Sequence, residues 1–301
     1  MARRRGGGGV RLDRSGNRLM LLAAAVLQLS VAAPAFAPPT DAPLRVVTER
    51  TETSAEARHY RLERLVRFAR EDGGYRAEVA VLGSTSEAPQ SLVNLVERGF
   101  AALAGRKIVL HLDGKGGIVA VDDMPALWER VCKAVTDAAA TRPGLAPGEA
   151  AALAVKLSAA LRALPPERQR SLLATLVTAL VSTEPLDPIG SALPVKLPGV
   201  SPFGAPVTLE GTRRTSPAES GRLRTTITAS ATMTLTDGKG GTPTSGTVSL
   251  ERIRTFDPHT GLIESGLDTT RNVTGSGAAA RSTLLLTRLR VERARASDWP
   301  N

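Results

Sequence analysis

Between residues 223 and 235 the chain alternates with a period of two. Leu223, Ile227, Ala229, Ala231, Met233 and Leu235 fall on one side; Arg224, Thr226, Thr228, Ser230, Thr232 and Thr234, with Arg222 before them, fall on the other. Successive side chains of a strand point to opposite faces, so this pattern demands a sheet with one buried and one wet face. Turn signals cut the following sequence into similar pieces. Asp237-Gly238-Lys239-Gly240-Gly241 leads into 248–256, Asp257-Pro258-His259-Thr260-Gly261 into 262–273, and a Gly-rich loop into 282–292. Residues 207–295 are expected to form an antiparallel meander of four or five strands.

The first half repeats the theme with helices added. Tyr60, Leu62, Val66 and Phe68 share one side of a strand-like stretch interrupted by Arg64, although Leu62, Leu65, Val66 and Ala69 also suit a helix. Glu71-Asp72-Gly73-Gly74 then turns the chain into Tyr75, Ala77, Val79 and Val81, which reads as a hairpin. Residues 89–104 take helical spacing and stop at Gly105. A second hairpin, 108–121, turns at Asp113-Gly114-Lys115-Gly116-Gly117. A helix follows with Asp122 or Asp123 as its cap, Pro125 in its first turn and Leu127, Trp128, Val131 and Val135 as its stripe. Residues 44–146 thus form β-hairpins with two helices.

Residues 147–183 read as a packed helical hairpin broken at Pro165-Pro166, with Leu153, Leu157, Leu161 and Leu164 on one helix and Leu172, Leu173, Leu176, Val177 and Leu180 on the other. The frequent prolines of 184–206 mark a linker. The fold class expected is α+β: a curved antiparallel sheet, or two β-meanders, with a helical insertion packed against it. The two Asp-Gly-Lys-Gly-Gly turns fit either an internal repeat or convergence on good turn chemistry.

Residues 1–35 carry an export pattern. Six arginines and one aspartate precede an apolar run, 19–33, and a small-residue exit, Ala32 to Ala37. The run is shorter than the ~20 residues of a membrane-crossing helix. Cleavage after Ala35 avoids placing Pro38 next to the cut, as cleavage after Ala37 would. Residues 36–43 then form a Pro-rich leader. No cysteine lies near either cut, so no lipid anchor is expected, and the arginines lack a twin-arginine context. The product is expected in the periplasm or outside the cell, soluble and without a transmembrane span. Half of the net charge of +10 belongs to residues 1–35. The remaining excess is too mild for a nucleic-acid partner. A single cysteine, Cys132, allows no internal disulfide, so the core must hold the fold.

Catalytic signatures are absent. His59, His111 and His259 lack metal-ligand spacing, and neither a Gly-x-Ser-x-Gly elbow nor a Ser-x-x-Lys pair occurs. Cys132 sits beside Val131 on an apolar helix side and reads as an inert buried thiol. The Asp-Gly-Lys-Gly-Gly segments lie between strands, whereas a phosphate cradle needs a helix N-terminus, and each offers one carboxylate where calcium needs several. No catalytic, cofactor-binding or metal residue is assigned, and no cofactor is expected. Arg222, Arg224, Arg252, Arg254, Arg288, Arg290 and Arg293 read as decoration of a wet sheet face; their alternative is a basic face for acidic lipid headgroups or envelope polysaccharide. An outer-membrane barrel is disfavoured by two Trp and two Tyr in the whole chain, by the helical middle and by the Trp299-Pro300-Asn301 ending.

The order of signal, hairpins, helical middle and meander with an Asp-x-x-Thr-Gly turn (Asp257 to Gly261) resembles exported bacterial proteins of unknown function. More distantly the layout is similar to the periplasmic lipoprotein carriers, whose curved antiparallel sheet under helices holds acyl chains; no residue is carried over from either. The expectation is a non-enzymatic envelope protein binding an apolar or amphiphilic, lipid-like ligand, or a partner, between sheet and helices. The alternative is a periplasmic hydrolase with a site dispersed in sequence. The oligomeric state is left open.

Overall fold

A computed structural model describes residues 35–54, 57–87, 95–142, 144–235, 243–275 and 280–300. The expected export signal and the turn at 237–241 lie outside the described residues. Eleven strands form one antiparallel sheet: β1 (Leu44–Thr53), β2 (Ala57–Glu71), β3 (Gly74–Glu87), β4 (Lys107–Asp113), β5 (Ile118–Val121), β6 (Ala192–Val200), β7 (Pro206–Pro217), β8 (Leu223–Leu235), β9 (Thr244–Asp257), β10 (Leu262–Thr274) and β11 (Arg281–Arg293). Their spatial order is β5-β4-β3-β2-β1-β11-β10-β9-β8-β7-β6, and the sheet is not closed.

The topology explains the order. The chain starts in the middle at β1 and meanders to the β5 edge. It crosses through the helices to the opposite edge at β6, then meanders back until β11 pairs with β1 along its whole length. The two expected meanders are therefore one sheet. At 51% strand against 24% helix, the protein is β-dominated rather than an even α+β mixture.

Four helices are described: α1 (Leu95–Ala101), α2 (Met124–Ala140), α3 (Pro147–Arg162) and α4 (Pro166–Thr178). Alternation along β1–β4 puts Val46, Val66, Val79, Ile108 and Leu110 on one side, where α2 and α4 supply Trp128, Val131, Leu173 and Val177. Phe256, Leu262, Ile263 and Leu289 from the far meander complete this core. So does Phe36, which packs edge-on against Phe68 and Tyr75 with ring centroids 5.8 and 5.2 Å apart.

Several expectations change in detail. The stretch 184–206 contains β6, whose Pro194 and Pro198 an edge strand tolerates. The 36–43 leader is tied down, with Ala37 N–H donating to Thr260 C=O at 2.9 Å. The helical hairpin is α2 with α3 rather than α3 with α4: Trp128 Nε1 donates to Leu161 C=O at 3.2 Å, and Arg162 pairs with Glu129, while α4 lies against β3 and β5. Small residues permit that approach, since Ala150, Ala154 and Ser158 are buried on α3, whereas Leu172 of the expected stripe is exposed. Asp123 precedes α2 in the left-handed region (φ 48) without a side-chain cap bond, and Asp122 bonds His111 instead. The ambiguous stretch around Tyr60 is strand, with a register shift after Glu63 that accommodates Arg64.

Candidate ligand-binding face

Directly opposed residues in a ladder share a face, so the registers map what each side of the β6–β11 half presents. On the helix side, three rows cross the strands. Thr225 pairs with Arg254, Gly266 and Leu289; Ile227 with Arg252, Asp268 and Thr287; Ala229 with Leu250, Thr270 and Leu285. From the third row outward, Leu209, Ala229 and Val248 form a second core cluster, joined by half-buried Leu197, Val207, Ala231 and Leu250. The helices lie over β3 and β5, and no helix residue joins this cluster among the described residues.

Curvature hides the cluster in place of a covering layer. Strands two apart, β6 with β8 and β7 with β9, come within 8 Å, closer than the ~9.6 Å of a flat sheet. Gly211 marks the bend: a Cβ there would stand 1.9 Å from the Thr228 carbonyl oxygen. Phe203 from the β6–β7 turn lies over Gly246 at the far end. What remains is an apolar track, partly open, along β6–β9.

A band of charge separates this track from the helix-covered core. Arg254 grips both oxygens of Asp268, Nη1 to Oδ1 at 2.5 Å and Nη2 to Oδ2 at 2.8 Å, whereas Arg252 Nε reaches them at 3.4 Å. Arg213 is held by Asp187 and Glu184. Nearer the core, Tyr60 is buried with its hydroxyl unpartnered, facing Arg50, Glu52, Arg58 and Glu97 around a cavity of about 10 Å³. Burial, with the Glu97 charge adding to it, pushes that phenol up to about 12. Arg64, 2% exposed, donates to Leu176 C=O of α4 at 2.8 Å and to Thr48 Oγ1 at 3.0 Å; burial brings its guanidinium down to about 10.

The residues singled out in the sequence scatter. His59 Nδ1 bonds Thr51 Oγ1, His259 is exposed in the β9–β10 turn, and His111 lies on the sheet face away from the helices, between Glu71 at 2.7 Å and Asp122 at 3.0 Å. Those bonds raise the imidazole's pKa, yet the hydrogen bonds of this exposed group include no hydroxyl or thiol nucleophile. Cys132 is fully buried, and burial raises its thiol. Asp113 Oδ1 accepts from the N–H groups of Lys115 and Gly117, both at 2.8 Å, closing a plain turn between β4 and β5. Among the described residues no group of three His, Cys, Asp or Glu is arranged to hold a metal ion.

The arginines divide. Arg224, Arg288 and Arg290 do decorate the far face, but Arg252 and Arg254 stand on the helix side with Val248, Leu250 and Phe256. The signal was present as an unbroken period of two through 248, 250, 252, 254 and 256, which puts both arginines in phase with the apolar residues. The far face also holds a groove of about 740 Å³ lined by polar Thr212, Thr228, Ser249, Glu251 and Arg271 and by apolar Leu284, with Ala229 and Leu250 also contributing. Thr212 and Thr228 hydroxyls lie 3.4 Å apart and Arg271 donates to Ser282, so part of this polar lining is internally bonded. Neither the family models nor the curated proteins searched contain a match to this chain.

Proposed function

We propose that the mature chain is an exported, non-enzymatic binding protein of the cell envelope, holding an apolar or amphiphilic ligand on the helix-side face of β6–β11. The observation that carries this reading is the partly open apolar track of half-buried Leu197, Val207, Ala231 and Leu250 around buried Leu209 and Val248, over which no helix lies among the described residues. Exposed contiguous apolar surface in a folded protein marks an interaction site. The space between sheet and helices is a weaker candidate, because Trp128, Leu173, Leu110 and Val79 are packed into it. Export rests on the N-terminal arginines, apolar run and small-residue exit.

Native mass spectrometry of the chain purified from its own host's envelope tests the reading. The expected spectrum contains a population heavier by one amphiphile, lost when Leu250 is replaced by Glu. A ligand-free mass, together with no rise in melting temperature on adding laurate, would overturn it.

A further inference from the structure

We infer that the ligand's headgroup is anionic and that Arg252 receives it, which makes the occupant an anionic single-chain lipid; this rests on the amphiphile-binding reading above. Asp268 serves two guanidinium groups. Arg254 takes both carboxylate oxygens in a fork, the strong bidentate geometry, while Arg252 approaches through Nε at 3.4 Å. One positive charge is thus left over, and no hydrogen bond to the Nη1 or Nη2 of Arg252 is seen among the described residues.

That surplus charge is neither buried nor fully wet. The side chains of Arg252, Arg254 and Asp268 are 32%, 18% and 21% exposed, so water screens them less than it screens a surface pair. A forked guanidinium of this kind suits a carboxylate or phosphate. Beside Arg254 in register stands Thr225, and beside Thr225 stands Thr215. Both are 1% exposed, and both hydroxyls lack a hydrogen-bond partner. Buried polar atoms are normally satisfied; these two hydroxyls lie in the Arg254 row, one row from Arg252, on the polar side of the cluster.

The apolar track starts at the same place. Leu250 and Val248 follow Arg252 on the same side of β9, and Ala229 and Ala231 face them from β8. A headgroup on Arg252 therefore lays its chain toward half-buried Leu250, about 7 Å along β9, and Ala231 beyond it, over buried Ala229 and Val248. The band's other inner arginine is engaged, Arg213 by Asp187 and Glu184. Charge complementarity therefore selects an acid over a neutral or cationic amphiphile.

Titration calorimetry on the mature chain with monododecyl phosphate, dodecanol and inorganic phosphate, below the micellar range, tests the assignment. Wild type should prefer dodecyl phosphate over dodecanol by about tenfold or more, the size of one charge-assisted contact. Arg252→Gln should bring that preference to within about threefold while dodecanol affinity holds. Asp268→Asn should move it the other way, freeing Arg254 as well, which a merely damaged fold would not do. Equal wild-type affinities for the two amphiphiles, a preference untouched by Arg252→Gln, or inorganic phosphate binding as tightly as its dodecyl ester overturns the headgroup assignment and leaves the amphiphile reading standing. Binding of neither amphiphile overturns both.

Discussion

Arg64 carries a full positive charge into the packed space between β2 and α4 with two neutral acceptors, Leu176 C=O and Thr48 Oγ1, and no carboxylate partner among the described residues. The fall from the ordinary guanidinium value to about 10 corresponds to roughly 3 kcal/mol of disfavoured charge. Two hydrogen bonds return about 1–3 kcal/mol. Arg64→Met should therefore hold or raise the melting temperature, a result that calorimetry checks and that a large drop would contradict. Phe36 behaves oppositely. Buried against Phe68 and Tyr75, it should cost about 3–5 kcal/mol when cut to Ala. If the chain is exported as proposed, cleavage after Ala35 would keep this ring and cleavage after Ala37 would discard it. The intact mass of the mature chain should therefore begin at Phe36. His111 gives the pH dependence. Its folded pKa is raised by Glu71 and then Asp122, so its contribution is complete below the unfolded value of about 6.5 and fades as pH rises through the folded one. The stability gap between wild type and His111→Asn should be larger at pH 5.5 than at pH 9, and small throughout, as for exposed pairs.

At the level of elements, β7 and the edge strand β6 do the most to shape the candidate face. Gly211→Ala has no room for its methyl group beside the Thr228 carbonyl and should destabilise the β7–β8 pair by about 2–3 kcal/mol, read by denaturant unfolding. In β6, Pro194 and Pro198 alternate with Leu193, Val195 and Leu197, so the missing N–H groups fall on the side away from β7. That blunts an edge which would otherwise invite another strand. Replacing both prolines with Val should produce dimers or larger species by light scattering. Strands such as β8 were legible because local alternation decides their faces. β6 was hidden, because prolines read as linker until the chain is known to run along an edge. Which helix α3 meets was also hidden, since small buried residues such as Ala154 and Ser158 carry a weak apolar signal beside Leu153 and Leu157. The candidate site is legible as residues but not as a place: Arg252 and Arg254 are two of seven arginines on the sheet, and only their phase with Val248, Leu250 and Phe256 sets them on the helix side.

For the whole molecule, the pairing of β1 with β11 is decisive. It joins two meanders, each able to form by local hairpins, through a contact spanning most of the chain. The core draws on both, with Phe256, Leu262, Ile263 and Leu289 packed against residues of β1–β4. Unfolding should accordingly be one cooperative transition, followed identically by the fluorescence of Trp128 and by circular dichroism. The same layout leaves helices over one half of the sheet and an apolar track on the other, and the account stands or falls on that track binding a ligand. Photo-crosslinking with a diazirine-bearing fatty acid, mapped by peptide mass spectrometry, addresses this directly. Adducts on the partly open β6–β9 side chains Leu197, Val207, Ala231 and Leu250 are predicted; adducts confined to α2–α4 or to the far face around Thr228 and Ser249, or none at all, would contradict it.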